Sequence, residues 1–304
     1  MTARLRKWCA TVGPVYFIAT PRKSAAQPID RLAIVSWNIH EGHGDVDELV
    51  RRLRLGEFTD GEPVVHFVLL LQEATRTDSR VPSSVPRGYP EPRRIEGPSG
   101  VPGGVVHQLA DEGYAVLYAP SMRNGMSGES AEDRGNAIVS TLAVHDPALI
   151  ELPLERQRRV AVVSGVEGQS PSGRRWHLGL VDVHLDTALA LFHGGPFDAR
   201  RRQAAVLVDA VRSLSDLNGT DSAAIVAGDF NAWKGSDEPA VKLLRGEFSD
   251  PIESPDAPTW TGPFGLHASL DQIFSRGLMK RSRVVRLPNR FGSDHYPLLT
   301  VVEF

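Results

Sequence analysis

The chain has 304 residues, 41% hydrophobic and 23% charged, with a formal net charge of −3. This is ordinary globular composition, and its charge balance excludes a protein whose affinity comes from a broad basic face on DNA or RNA. The single cysteine, Cys9, excludes an internal disulfide framework and a zinc site of several thiolates, and no stretch approaches the roughly 20 apolar residues of a membrane span.

Residues 1–30 differ in kind from the rest. "MTARLRKW" is basic, "CATVGPVYFIAT" mildly apolar and "PRKSAAQPID" polar, which is the outline of a signal peptide. Gly13 and Pro14 interrupt the apolar part, so a loosely ordered extension is the competing expectation. From residue 31 short strands and helical segments alternate. "RLAIVSWNI" (31–39) is β-rich. "DVDELVRRLRL" (45–55) carries Val46, Leu49, Val50 and Leu53 at helical spacing behind Asp45, a natural N-cap. "VHFVLLLQEA" (65–74) reads as a fully buried strand that ends in polar residues. The segment from Arg76 to Gly104, rich in Pro, Gly, Ser and Arg, reads as a long surface loop. "GNAIVST" (135–141), "RRVAVVSGV" (158–166) and "HLGLVDVHL" (177–185) are further strands. "DARRRQAAVLVDAVRSL" (198–214) is the clearest helix, with Ala204, Leu207, Val208 and Val211 as its apolar stripe and Asp198 as its cap. "SAAIVAGDF" (222–230), "SLDQIFS" (269–275) and "YPLLTVVEF" (296–304) complete the strands. Without repeats or a low-complexity linker, residues 31–304 read as one α/β domain with layered sheets. Two arginine clusters, Arg156/Arg158/Arg159 and Arg200/Arg201/Arg202, read as solvated faces rather than as a phosphate track.

The apolar strands share one feature: they end in polar residues. In chain order these are Asn38 after "IVSW", Glu73 after "LLLQ", His184 in "VDVHL", Asp229 and Asn231 in "AGDFN", Asp271 in "SLDQIF", and Asp294 with His295 in "GSDHYP". Each alone has a plain reading as a turn cap or a satisfied core group. Together they stand where ligands bind in α/β folds, at the ends of several strands. The set holds carboxylates, amides and imidazoles, with no paired serine nucleophile and no thiol. That inventory suits a hard divalent cation, Mg²⁺ or Mn²⁺, and hydrolysis by an activated water.

"SWNIHEGHG", "LLLQEAT", "RGNAIVS", "DVHLD", "AGDFNAW", Thr259–Trp260, "LDQIF" and "SDHYP" occur in that order over residues 31–304. This series resembles the endonuclease/exonuclease/phosphatase superfamily, which includes deoxyribonuclease-I-like nucleases, abasic-site endonucleases, sphingomyelinases and inositol-polyphosphate phosphatases. "GDFN" with "SDH" and an upstream "QE" carries the resemblance, and the "NIHEGHG" form is similar to a bacterial branch whose substrates vary. The resemblance implies a four-layer α/β sandwich, two mixed β-sheets packed face to face with helices outside. It implies metal-assisted hydrolysis of a phosphate ester: Glu73 as direct metal ligand, Asn38 binding the metal's shell or orienting Glu73, and Asp294 at the metal's water shell. Asp229 would orient or deprotonate the water, Asn231 and His184 would contact the phosphate, and His295, held in its tautomer by Asp271, would stabilise the phosphoryl group or act as acid or base. In an extended chain residues two apart point the same way, so Asp229 and Asn231 are expected to reach one phosphate while Phe230 packs behind.

One position departs from the abasic-site endonucleases. His40 stands where they carry an Asp two residues after the first Asn, which leaves the metal count open. Trp37, Trp233 and Trp260 read as packing around the site, Asn136 as a site or turn residue, and His40 and His43 as parts of a rigid loop. Three functions stay in competition: a phosphodiesterase or phosphatase of lipids or small molecules, a DNA or RNA nuclease, and a non-catalytic phosphate-binding module. A monomer is expected, in the cytoplasm, or secreted if residues 1–30 act as a signal peptide.

Overall fold

Alternation builds this fold, because successive residues of a strand face opposite sides of its sheet. The computed structural model describes residues 1–23, 28–89, 101–125, 131–187, 195–218 (backbone alone for 215–218), 223–250, 255, 257–278 and 283–304. In chain order come α1 (Ala3–Cys9), β1 (Tyr16–Ile18), β2 (Arg31–Asn38), α2 (Val46–Arg54), β3 (Phe67–Thr77), α3 (Gly104–Asp111), β4 (Ala115–Asn124) and β5 (Glu132–Ser140). They are followed by β6 (His145–Glu151), β7 (Val160–Gln169), β8 (Arg175–His184), α4 (Pro196–Asn218), β9 (Ala223–Asp229) and α5 (Pro239–Glu247). The chain ends with β10 (Trp260–Thr261), β11 (His267–Ala268), β12 (Asp271–Arg276), β13 (Val285–Arg286) and β14 (Leu298–Glu303).

A seven-stranded sheet runs β1-β4-β5-β3-β2-β14-β13 and a five-stranded sheet runs β12-β9-β8-β7-β6, with β10–β11 as a separate hairpin. Pairing is antiparallel except for β2–β3 and β8–β9, so both sheets are mixed. Ile34, Leu70 and Ile138 of the first sheet meet Val162, Leu178, Ile225 and Ile273 of the second. The outer face of the first sheet, with Val35, Trp37, Leu69 and Leu71, is covered by Val46, Leu49 and Leu53 of α2 and Val105, Val106 and Leu109 of α3. That of the second, with Val181, Val183 and Val226, is covered by Ala204, Leu207, Val208 and Val211 of α4 and by Val241 and Leu244 of α5. The result is the expected helix–sheet–sheet–helix sandwich. Among the described residues no helix is long and apolar enough to cross a membrane.

The fold differs from the sequence reading at four places. α4 begins at Pro196, which puts Asp198 in its first turn rather than at its cap. Residues expected to be loosely ordered form α1 and β1: Trp8 is buried with Tyr89 and Met122, and β1 pairs with β4 at Tyr16↔Tyr118. The strand read as ending at residue 74 continues to Thr77, which places Arg76 inside, where its Nη2 donates to Asp133 Oδ2 at 2.5 Å. The rest of the expected surface loop includes residues 90–100, which lie outside the described set. Finally, the arginine clusters are not solvated faces throughout. Arg200 is fully buried against Glu238, its Nε 2.8 Å from Oε1, and Arg159 is buried beside the strand-end polar groups.

Candidate active site

The parallel pairs β2–β3 and β8–β9 set four strand ends side by side, and the polar residues there turn between the sheets. Asn38, His184 and Asp229 are the last residues of β2, β8 and β9. Asp229 pairs in register with His184 on one side and with Asp271 of β12 on the other. These residues share the parity of the intersheet core, so each continues the apolar row of its own strand into a polar end. Asn38 spans the gap between the sheets: its Nδ2 donates to Asp229 Oδ2 at 3.1 Å.

Asp229 and Asn231 do come together, but not by extended alternation. β9 stops at Asp229 and Asn231 has φ +47. Its backbone N–H donates to Asp229 Oδ1 at 2.8 Å, an Asx-type turn, and its side-chain Nδ2 donates to Leu185 O at 3.0 Å. Phe230 packs away from the site, fully buried and edge-on to Phe274. Gly228 permits the close approach of β8 and β9, since a Cβ there would lie 1.7 Å from Val183 O. Glu73 is re-aimed in a similar way. The β3–β5 register shifts between Leu71 and Ala74, a β-bulge, and Glu73 sits there with φ +59. Its Oε2 accepts from Glu41 N at 2.9 Å.

The two histidines are set to opposite charge states. His295 Nδ1 lies 2.8 Å from Asp271 Oδ2, with Nε2 3.9 Å from both Asp229 Oδ2 and Asp294 Oδ1. Burial works against its charge, but Asp271, Asp229 and Asp294 together push its pKa up to about 10. His184 is held well below its ordinary value by burial and by Arg159, His295 and Arg134, so it is neutral; its Nε2 is 3.3 Å from Asp229 Oδ2. Burial raises Asp229 to about 7, with Asp271 adding to the shift and His295 opposing it. Asp294 is lowered to about 2: burial opposes, while His40 and His295 hold its charge. Its Oδ1 accepts from His40 Nδ1 and its Oδ2 from Trp260 Nε1, both at 2.8 Å.

All eight expected residues therefore lie on this one end of the sandwich. Asn38, His184, Asp229, Asp271 and His295 form a contiguous buried set. Glu73 and Asp294 reach it through the β2–α2 loop, by Glu41 and His40, and Asn231 through its turn. His40 (φ +48) and Glu41 (φ +53) hold that loop in the left-handed region. Trp37 packs as expected, donating from Nε1 to His295 O at 3.1 Å. Trp233 does not: it is 43% exposed, edge-on to Trp260 at 5.3 Å, and stands at the rim. Asn136 lies inside, its Nδ2 donating to Val160 O at 3.2 Å and Asp182 O at 3.3 Å.

Three further residues escaped the sequence reading: Glu41, Arg134 and Arg159. Arg134 of β5 pairs with Glu41 and donates to Asn124 Oδ1 at 2.9 Å. Burial, with Glu73 nearby, raises Glu41 while Arg134 opposes. Only "RGNAIVS" hinted at Arg134, and nothing in a single sequence distinguishes a buried arginine from a solvated one.

The donors fit a hard divalent cation. Glu41 Oε2 and Asp271 Oδ1 are buried without a hydrogen-bond partner, and Glu73 lies close enough to Glu41 for the two carboxylates to repel. Asp229, Asp271 and His295 present ligand atoms within 4.8 Å of one another. A protonated imidazole cannot ligate, which makes the oxygen-rich side around Glu73, Glu41 and Asn38 the better fit.

Solved structures of similar fold agree with the architecture. An endonuclease/exonuclease/phosphatase from Beutenbergia cavernae superposes with a TM-score of 0.56 at 16% identity, covering 91% of this chain and 72% of that one. An endonuclease/exonuclease/phosphatase family protein from Leptotrichia buccalis gives 0.55 at 16%, covering 90% and 100%. The human Nocturnin catalytic domain, solved with a bound sulfate anion, gives 0.52 at 18%, covering 100% of both. No curated protein matches the sequence. Residues 35–295 match the endonuclease/exonuclease/phosphatase family, and the chain belongs to that family.

Proposed function

We propose that the chain is a divalent-metal-dependent hydrolase of phosphate esters that uses an activated water. The observation that carries this reading is the buried strand-end cluster in which His295 Nδ1 lies 2.8 Å from Asp271 Oδ2 and Nε2 3.9 Å from Asp229 Oδ2, an arrangement that raises the acid to about 7 and the imidazole to about 10. Two titratable groups pushed apart in this way supply a base and a cationic donor at the same pH. Family membership supports the same reaction class, since members are generally phosphoester hydrolases.

Glu73 would hold the metal, with Asn38 Oδ1 and Glu41 beside it and Asp294 at its water shell. When bound, Mg²⁺ or Mn²⁺ offsets charge on the phosphoryl oxygens and acidifies a water. Asp229, ionised above pH 7, takes the water's proton. His295 donates from Nε2 to a phosphoryl oxygen, and Asp271 fixes its tautomer through Nδ1. The Asn231 amide keeps one N–H beyond the bond to Leu185, and neutral His184 offers a second contact.

Within this class a lipid or small-molecule phosphoester is favoured over duplex nucleic acid. Three of the six clustered arginines are spent on carboxylates: Arg158 on Glu151, Arg202 on Glu155 and Arg200 on Glu238. A duplex binder needs several free cations. The test is a hydrolysis panel with Mg²⁺, Mn²⁺ or EDTA over aryl mono- and diesters, plasmid, abasic duplex and sphingomyelin. Metal-dependent turnover lost in Asp229→Asn is expected. Metal-independent turnover, or full activity of the variant, overturns the reading.

A further inference from the structure

Arg159 is a buried cation without an acid of its own. It closes the loop between β6 and β7, where its carbonyl accepts from Leu152 N at 3.0 Å, and it is 4% exposed. Its Nη2 donates to Gln157 Oε1 at 3.1 Å, its Nε is buried with no hydrogen-bond partner, and no described carboxylate pairs with it. Arg76, Arg134 and Arg200, also buried, are each matched by Asp133, Glu41 and Glu238. Gln157, which holds Arg159 Nη2, donates its own N–H to Asp186 Oδ2 at 2.9 Å, two residues beyond His184 at the end of β8. Asp186, Glu73 and Asp229 act on Arg159 from beyond ion-pair distance, and burial together with Arg159 keeps His184 neutral. Desolvating a guanidinium without an acid partner is unfavourable, and an incoming anion offsets that cost. The groups around it say where that anion sits: beside His184 and Asp229, on the reacting phosphoryl group.

We infer that Arg159 and His184 form an anion subsite for a non-bridging oxygen of a dianionic phosphomonoester, and that Arg159 selects monoesters over diesters. This rests on the hydrolase reading above. A monoester near neutral pH carries close to two charges over three non-bridging oxygens, and a diester only one over two. The third oxygen and the second charge are what a fixed guanidinium fork recognises. In the reaction the water oxygen forms a new P–O bond and the P–O bond to the alcohol breaks. One water proton passes by way of Asp229 to the departing oxygen, leaving alcohol and hydrogen phosphate.

The experiment compares kcat/KM for p-nitrophenyl phosphate and bis-p-nitrophenyl phosphate in the full chain, Arg159→Gln, Arg159→Lys and Asp229→Asn. It adds calorimetric titration of inorganic phosphate into the metal-free proteins, with circular dichroism as the folding control. Arg159→Gln should lose about a hundredfold on the monoester but under about tenfold on the diester, and weaken phosphate about tenfold. Arg159→Lys should retain part of the monoester preference. Equal losses on both esters, or unchanged phosphate affinity in Arg159→Gln, overturn the inference while Asp229→Asn still reports on the hydrolase reading. If the wild type turns over neither ester, the hydrolase reading is what suffers, and the phosphate titration alone decides on Arg159. A wild type that binds no phosphate overturns the subsite as well.

Discussion

Asp229 and His295 carry opposite demands on pH. The base acts when ionised, so kcat/KM should rise as pH passes about 7; the imidazole acts when charged, so the rate should fall as pH passes about 10. In His295→Gln the alkaline limb should vanish and kcat drop about 10²- to 10⁴-fold, read from a pH–rate profile. The same histidine links stability to pH. Its folded pKa, about 10, lies above the ordinary 6.5, so its contribution is complete below pH 6.5 and lost as pH rises through 10. Denaturant titrations of metal-free wild type and His295→Gln should therefore converge between those values; a constant gap would contradict the assigned shift. At this scale the sequence was informative about identity and less so about geometry. "GDFN" and "SDH" named Asp229, Asn231, Asp294 and His295, yet the Asp229–Asn231 contact depends on a φ of +47 that no alternation rule supplies. Arg159 was read with its neighbours as solvated, because burial of a cation depends on elements distant in sequence.

Elements place these side chains through two local irregularities. Gly228 lets β9 lie against β8: Gly228→Ala would put a Cβ 1.7 Å from Val183 O, and a loss of about 3 kcal/mol or more is expected by denaturant melting, with the site residues disturbed first. The β3 bulge turns Glu73 toward the β2–α2 loop. Glu73→Gln should leave the fold intact while raising the metal concentration for half-maximal activity about 10- to 100-fold; an unchanged metal requirement would place the cation elsewhere. Strands with unbroken apolar runs, β2, β3, β8 and β9, were legible because burial on both faces leaves one composition. The helix α2 was legible through its 3.6-residue stripe and its Asp45 cap, whose side chain accepts from Glu48 N at 2.9 Å. The bulge and the continuation of β3 to Thr77 were not. Arg76 looks like a loop residue until Asp133 of β5 is placed beside it.

At the scale of the whole molecule, two sheets enclose an apolar core that ends in a buried polar cluster, and the N-terminal segment is fastened to β4 and β5. Asp133 gathers Arg76, Tyr118 and the backbone of Gly13 at 2.5, 2.9 and 2.8 Å. Asp133→Ala would leave the buried Arg76 guanidinium with only the longer Asp78 pair, at 3.8 Å, and its bond to Pro14 O, at a cost of about 3 kcal/mol, and should lower Tm by several degrees in a thermal melt. An unchanged Tm would mean that water already reaches this pair. The four-layer architecture was legible from the interleaving of strands and helices together with the motif series. The docking of residues 3–18 was not, because short helices and edge strands carry too few residues for a periodic pattern. The central claim is that one end of this sandwich hydrolyses phosphate esters with a metal-activated water. The most direct measurement is kcat/KM for p-nitrophenyl phosphate with and without Mn²⁺, in wild type and in Asp229→Asn confirmed as folded. Turnover that needs the metal and falls at least about a thousandfold in the variant is the expected result. Equal turnover by both proteins, or turnover that survives EDTA, would contradict it.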